Sequence, residues 1–182
     1  MEELLKDRRG NLTLTNINGL CRIALDKLKK TYEQDIQEKN IRIVFDNLTL
    51  SLMMEVNVEQ FSKVLAGILK NSMYALLKKS ETVTFSPEIL LGLKVNKDML
   101  EITIRDNGSG IDENIKDKIF APFFTTKTTG EAAGVGLYLC REIVQNHRGT
   151  IEVESKKGEY TQFLITIPVY QPKTITPPKE EE

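Results

Sequence analysis

The order in which helical and extended periodicities follow one another narrows the fold of this chain more than any single residue does. From Asn18 to Lys39 the apolar residues Cys21, Ala24, Leu25, Leu28 and Tyr32 recur at spacings of three and four, with Lys27, Lys29 and Lys30 between them, which predicts an amphipathic helix. Ile41, Ile43 and Phe45 then alternate with polar neighbours such as Arg42 and Asp46, the period of a half-buried strand, and Leu50 to Glu55 is expected to lie beside it. A second helix is predicted from Glu59 to about Lys79, burying Phe61, Val64, Leu65, Ile68, Ala75 and Leu76. Ile89 to Val95 and Leu100 to Arg105 flank the turn-prone Asn96-Lys97-Asp98 and read as an antiparallel hairpin with Leu100, Ile102 and Ile104 on one face. Gly134 to Asn146 is again helical, and Ile151/Val153 and Phe163/Ile165/Ile167 mark two more strands. Helices and strands do not alternate one for one, as a doubly wound parallel sheet requires, and there is no internal repeat. The expected class is α+β, a two-layer α/β sandwich with a mixed, mainly antiparallel sheet covered by helices on one face.

At 182 residues the chain holds one core. We expect a domain over 12–169, preceded in 1–11 by the end of another helix or a linker, and followed by a disordered Pro-, Lys- and Glu-rich tail over 170–182. With 25 Lys plus Arg against 26 Asp plus Glu, the net charge of -1 provides no global field for nucleic acid or an anionic membrane, so an anionic ligand has to be held locally. No apolar run approaches the roughly 20 residues of a membrane span, and Met1 to Gly10 is too charged for a secretory signal. The expectation is a cytoplasmic domain with no direct membrane contact, whether or not a longer protein is anchored. Cys21 and Cys140 lie far apart in helix-like apolar settings and read as buried thiols, and His147, the sole histidine, reads as structural where a helix ends at Arg148-Gly149.

Asn71 sits three residues after Ile68 and four before Ala75, so it projects from the apolar stripe of its helix. A buried amide there either bonds neighbouring backbone or offers its carbonyl oxygen as a hard ligand for Mg²⁺. Asp106-Asn107-Gly108-Ser109-Gly110 comes directly off a strand end. A carboxylate at that place accepts hydrogen bonds and does not donate them, so it selects a ligand presenting an amino group, such as the exocyclic amine of adenine, although alone the sequence is also a common turn. Gly134-Val135-Gly136-Leu137 opens a helix where free N–H groups can approach phosphate. Upstream, Phe120 to Lys127 offers aromatic anchors and a cation for phosphate oxygens, inside a long loop from Asp106 to Ala133 of the sort that carries function in compact domains.

Together, Val64 to Ser72 around Asn71, Asp106 to Ile111, Phe120 to Lys127 and Gly134 to Leu137, with His147 to Ile151 and the closing strand to Pro168, resemble the successive boxes of the sensor histidine kinase catalytic and ATP-binding domain, in the GHKL superfamily that includes gyrase, a heat-shock chaperone and mismatch-repair ATPases. The resemblance runs from about Leu12 to Pro168. It implies the Bergerat fold, with ATP between helices and sheet under a lid over about 107–133. It implies that Asn71 holds Mg²⁺, that Asp106 binds the adenine amine, that Gly108 and Gly110 bring the loop close to the base and that Gly134 and Gly136 serve the phosphates, with Ile111, Phe123, Lys127, Val135 and Leu137 also among the nucleotide-binding residues. Asn71 and Lys127 would then be the catalytic residues.

The chain departs from the family pattern at three places, the first two bearing on turnover and the third expected to matter only locally. Gly67, one helical turn before Asn71, stands where hydrolytic members have a water-activating glutamate and kinases often have Asn; Ala132 and Ala133 replace a common Gly and Thr; Tyr160 replaces a usual glycine. The resemblance further implies a γ-phosphoryl transfer to a histidine on a separate dimerisation domain and onward to a response regulator. His147 lacks the setting of such an acceptor, so the expected partner domain belongs to a longer protein. Two alternatives stay open: a nucleotide-binding switch or scaffold with degenerate catalysis, favoured by Gly67, Ala132 and Ala133, and a free-standing ATPase, disfavoured by Gly67.

Overall fold

The structure, a computed structural model, describes residues 10–124 and 136–169. Its elements run β1 (Thr13–Asn16), α1 (Ile17–Thr31), α2 (Glu33–Lys39), β2 (Arg42–Asp46), β3 (Met53–Val56), α3 (Val58–Ser80), β4 (Glu88–Asn96), β5 (Met99–Asp106), α4 (Glu113–Lys116), α5 (Gly136–Asn146), β6 (Thr150–Lys156) and β7 (Tyr160–Pro168). Five strands form one sheet in the order β2-β4-β5-β7-β6, with β2 parallel to β4 and every other pair antiparallel. This is the mixed, mainly antiparallel sheet expected from the sequence.

Register explains the core. Leu93, Ile102, Ile165 and Ile151 stand opposite one another across four strands, as do Leu91, Ile104, Phe163 and Val153. On β4, β5 and β7 burial alternates, so one face of the sheet is dry. The helices cover that face. α3 is the central one: Phe61, Val64, Leu65, Ile68, Leu69, Met73 and Leu76 are buried on it, and α1 and α5 pack along its two sides. Each such side chain contributes about 1.5–3 kcal/mol of transfer free energy. Asn57 caps the start of α3 by accepting from the Gln60 N–H at 3.0 Å.

Several local expectations are corrected. The segment after β2 does not pair with it. The Ile17 N–H donates to the Leu52 carbonyl, and Asn18 exchanges hydrogen bonds with the backbone of Leu48. These ties hold the connection against the start of α1, so β3 forms a separate antiparallel pair with β1 (Thr13 opposite Val56), while β2 pairs with β4. The predicted helix over Asn18 to Lys39 is two helices, because Tyr32 leaves helical geometry at φ -112° and ψ 28°. At the end of α5 it is Arg148, at φ 58°, that takes the left-handed conformation, and the following Gly149 N–H returns to the Val144 carbonyl.

Candidate nucleotide site

Asp106 is the last residue of β5, and its side chain is 2 % exposed beneath α3. Burial pushes its carboxyl up to about 6; a hydrogen bond from the Gly108 N–H, then the nearby Ser72 hydroxyl, Lys79 and Arg105, favour the ionised form against that. The Gly108 N–H donates to Oδ1 at 2.9 Å. Ser72 lies next to Asn71 on α3 and is 1 % exposed, yet no hydrogen bond of acceptable geometry closes on its Oγ, to Asp106 or to any other group among the described residues. The hydroxyl lies near enough to the Asp106 carboxylate to favour its ionised form. An unsatisfied buried hydroxyl costs about 1–3 kcal/mol. Asn71 itself is half-buried on the same helix.

The Asp106 loop is locked to both layers. A Cβ on Gly108 would meet the backbone of Ala75 at 2.6 Å, and the Ser109 N–H donates to the Ala75 carbonyl at 3.1 Å. Gly110, at φ 64°, lies so close to the β6–β7 turn that a Cβ would meet the Lys156 carbonyl oxygen at 2.2 Å. The Gly158 N–H donates to the Ser109 carbonyl at 2.7 Å, and the Ile111 N–H to Ser155 Oγ at 2.8 Å. Lys79 reaches from the last turn of α3 to the Asn107 carbonyl at 2.8 Å while its ammonium stands 4.4 Å from the Phe85 ring centroid. Both glycines are therefore required by backbone approach, a reason for them beyond proximity to a base.

Further along, Phe120 packs edge-on against Phe163 and under the Arg141 guanidinium, and Phe124 joins the core. Phe123 turns outward, 78 % exposed, at φ 61°. Gly136 begins α5 with open space where a side chain would be, and Leu137 packs on the core. Lys127, Ala132, Ala133, Gly134 and Val135 lie outside the described residues. Gly67 faces α5: a Cβ there would come within 3.2 Å of Cys140 Sγ. Tyr160 stacks under the Arg105 guanidinium at 3.9 Å and donates to Glu154, a local role.

Both cysteines are free and buried, and burial pushes each thiol up to about 12. His147 is buried; its Nδ1 bonds the Ile143 carbonyl at 2.8 Å and its Nε2 accepts from the Asn57 N–H at 3.1 Å, tying the end of α5 to the cap of α3. The structural reading of this histidine therefore holds. Among the described residues no helix is long and apolar enough to cross a membrane, and no three His, Cys, Asp or Glu side chains gather as a metal cage. Ser72 and Lys79 were not singled out from sequence. Ser72 follows Asn71 directly, so that adjacency was its one visible signal.

Comparison with known proteins agrees with this arrangement. Residues 57–171 match the family described as histidine kinase-, DNA gyrase B-, and HSP90-like ATPase. Cyanobacterial phytochrome A of a Nostoc species is 35% identical over 149 residues, covering 80% of this chain and 18% of that protein. Sensor histidine kinase ZraS of Salmonella typhi is 28% identical over 92% of this chain and 33% of its own length. The chain thus spans a third or less of these two relatives. Among solved structures, a nucleotide-free catalytic domain of histidine kinase ThkA superposes with a TM-score of 0.70 at 28% identity, covering 87% of this chain and 95% of that one. A domain with Asp106 buried at a strand end beneath α3, this sheet order and these relatives belongs to the family of histidine kinase-, DNA gyrase B- and HSP90-like ATPases.

Proposed function

We propose that this domain binds ATP with Mg²⁺ and donates the γ-phosphoryl group to a histidine on a separate dimerisation domain, as the catalytic part of a cytoplasmic two-component sensor kinase that passes the group to a response regulator. The observation that carries the reading is the Asp106 carboxylate, buried at the end of β5 and held in place by the Gly108 N–H. A fixed acceptor selects an exocyclic amine and refuses a carbonyl, so adenine is taken and guanine is not. Gly136 and Leu137 open α5 and would offer N–H groups to the phosphates; by sequence Gly134, Val135 and Lys127 would serve the same phosphates. Gly110, Ile111 and Phe123 border the base. Asn71 offers one hard oxygen; with no carboxylate cage among the described residues, that donor set suits Mg²⁺, which takes one or two protein ligands and fills its octahedron with phosphate oxygens and water. Bound there, the ion would neutralise charge on the phosphates.

The phosphoryl acceptor is not His147, whose two ring nitrogens are both engaged inside the core. The domain's share of the reaction is positioning and charge stabilisation, and a helical partner brings the nucleophile. The test is to mix the chain with a histidine-containing dimerisation domain and labelled ATP. Acid-labile label on the partner, lost with Asp106→Asn, is the expected result; ATP binding with no transfer to any such domain overturns the kinase reading. A second reading, a nucleotide switch without turnover, is favoured by Gly67, which places no side chain one helical turn before Asn71 to accept a proton or orient water, and that same outcome would select it.

A further inference from the structure

We propose that Gln60 is a standby acceptor for a proton on His147, so that the seam between α3 and α5 holds together while its histidine charges. This is a property of the scaffold and does not depend on which nucleotide the domain binds. At the start of a helix, a Glu or Gln three residues after the capping residue ordinarily turns its side chain back to the N–H of that residue. Gln60 occupies this position after Asn57, whose side chain accepts from the Gln60 N–H at 3.0 Å. The return bond is not made, because the Asn57 N–H donates instead to His147 Nε2 at 3.1 Å. One donor thus stands before two acceptors. The acceptor left over, Gln60 Oε1, is shut from solvent with no hydrogen-bond partner among the described residues.

Gln60 also stands on the face of α3 that meets α5. Val64 and Gly67 follow it at helical spacing, and both meet Cys140, the Val64 carbonyl by accepting from its Sγ at 3.8 Å. α5 runs antiparallel along this stripe, which brings His147 back to the first turn of α3. In the neutral imidazole Nδ1–H donates to the Ile143 carbonyl at 2.8 Å and Nε2 accepts. A proton on Nε2 turns that acceptor into a donor facing the Asn57 N–H, and two donors then need one acceptor between them. The Gln60 carbonyl, with two lone pairs, takes both. The charged side chains on the neighbouring turns are Glu55 on β3, Glu59 and Lys63 on α3, Arg141 and Glu142 on α5, Arg148 just after it and Glu152 on β6. Arg141 and Glu142 are half-buried and the others exposed, Glu59 pairing with Lys63 at 2.8 Å. The buried carboxyl of the fold, Asp106, belongs to the end of β5.

His147 is the sole histidine, so one imidazole signal in an NMR titration of the chain from pH 8 to 5 reports its protonation. We expect this signal to titrate while the domain stays folded. In Gln60→Leu the midpoint should fall by about one to two pH units, the size of one hydrogen bond to a charged group. In Gln60→Glu, whose carboxylate is the stronger acceptor, it should rise. Thermal melts carry the same sign. A carbonyl that bonds nothing at pH 8 leaves Gln60→Leu melting no lower than wild type there. The variant should drop below wild type as pH falls through about 6.5, where the unfolded chain takes up a proton that the folded variant holds less well. With His147→Phe in both backgrounds, the gap between them should no longer change with pH. Three results overturn the inference: equal midpoints in wild type and Gln60→Leu, an imidazole that titrates only as the domain unfolds, and a Gln60→Leu chain that already melts well below wild type at pH 8, which would give the carbonyl a partner at neutral pH.

Discussion

The Cys140 sulfur lies 3.2 Å from the point at which a side chain on Gly67 would begin, so α5 is seated against a gap in α3. Two effects therefore oppose each other in Gly67→Ala. Replacing a helical glycine stabilises by about 1 kcal/mol, while crowding a well-packed contact costs a similar or larger amount. In the wild-type background the substitution is expected to be neutral or destabilising; in Cys140→Ala it should stabilise by about 1 kcal/mol. Urea melts of the four proteins measure the coupling, and a gain of the same size in both backgrounds contradicts the contact.

Gly110 and Gly158 separate two reasons for a glycine. Both have positive φ, 64° and 80°, but only Gly110 has a backbone carbonyl 2.2 Å from where its Cβ would stand; Gly158 has nothing within 4 Å. Gly158→Ala should cost the conformational penalty alone, roughly 1–2 kcal/mol. Gly110→Ala must also push the β6–β7 turn away, for a total on the order of 3 kcal/mol or more and a fall in melting temperature on the order of 10 °C. Equal losses in thermal melts would show that the Asp106 loop is not locked to that turn.

His147 joins two elements that are 90 residues apart in sequence, through the Asn57 N–H at the cap of α3. His147→Phe keeps a ring against Phe61, whose centroid stands 5.5 Å away, but deprives that N–H of its imidazole acceptor. The expected cost is about 1–3 kcal/mol of stability, with the preference for ATP over GTP unchanged, since Asp106 is untouched. A lost nucleotide preference at normal stability would place His147 in the site rather than in the scaffold.

These contacts also show where sequence reading stops. The stripe of α3, the alternation of β4 and β5 and the motif around Asp106 were legible because each is a local pattern whose period reports one buried face. The pairing of β2 with β4 was not, since a parallel register joins distant segments and nothing in either strand names its partner. β1, with four residues and no buried aliphatic of its own, is too short to show a period. The break at Tyr32 lies inside a continuous 3.6-residue pattern, so periodicity passes over it. Gly108 and Gly110 were visible as glycines, but the Ala75 and Lys156 backbones that require them come from other elements. Ser72 was hidden for a related reason: a serine beside an asparagine on a helix looks ordinary until its hydroxyl is found near the Asp106 carboxylate of another element.

The buried carboxyl of Asp106 makes both stability and nucleotide binding depend on pH, in opposite senses. Its ordinary value of 3.8 is raised to about 6 in the fold, chiefly by burial. The folded domain therefore holds this proton more tightly than the unfolded chain does. The resulting stabilisation is fully present below about pH 4 and is lost as pH rises through about 6, and it amounts to about 3 kcal/mol. Asp106→Asn, whose Oδ1 can still accept from Gly108, should then stabilise the free domain at pH 7.5 and change little at pH 4. Nucleotide binding runs the other way, because an ionised carboxylate is what accepts the adenine amine. ATP affinity should be level above about pH 6.5 and fall up to tenfold per unit below about pH 6, while the weak residual affinity of Asp106→Asn stays flat. Calorimetric titrations from pH 5 to 8, with a melt at each pH, follow both quantities at once. An affinity that tracks pH equally in wild type and in Asp106→Asn would assign the dependence to another group and remove Asp106 from the base contact.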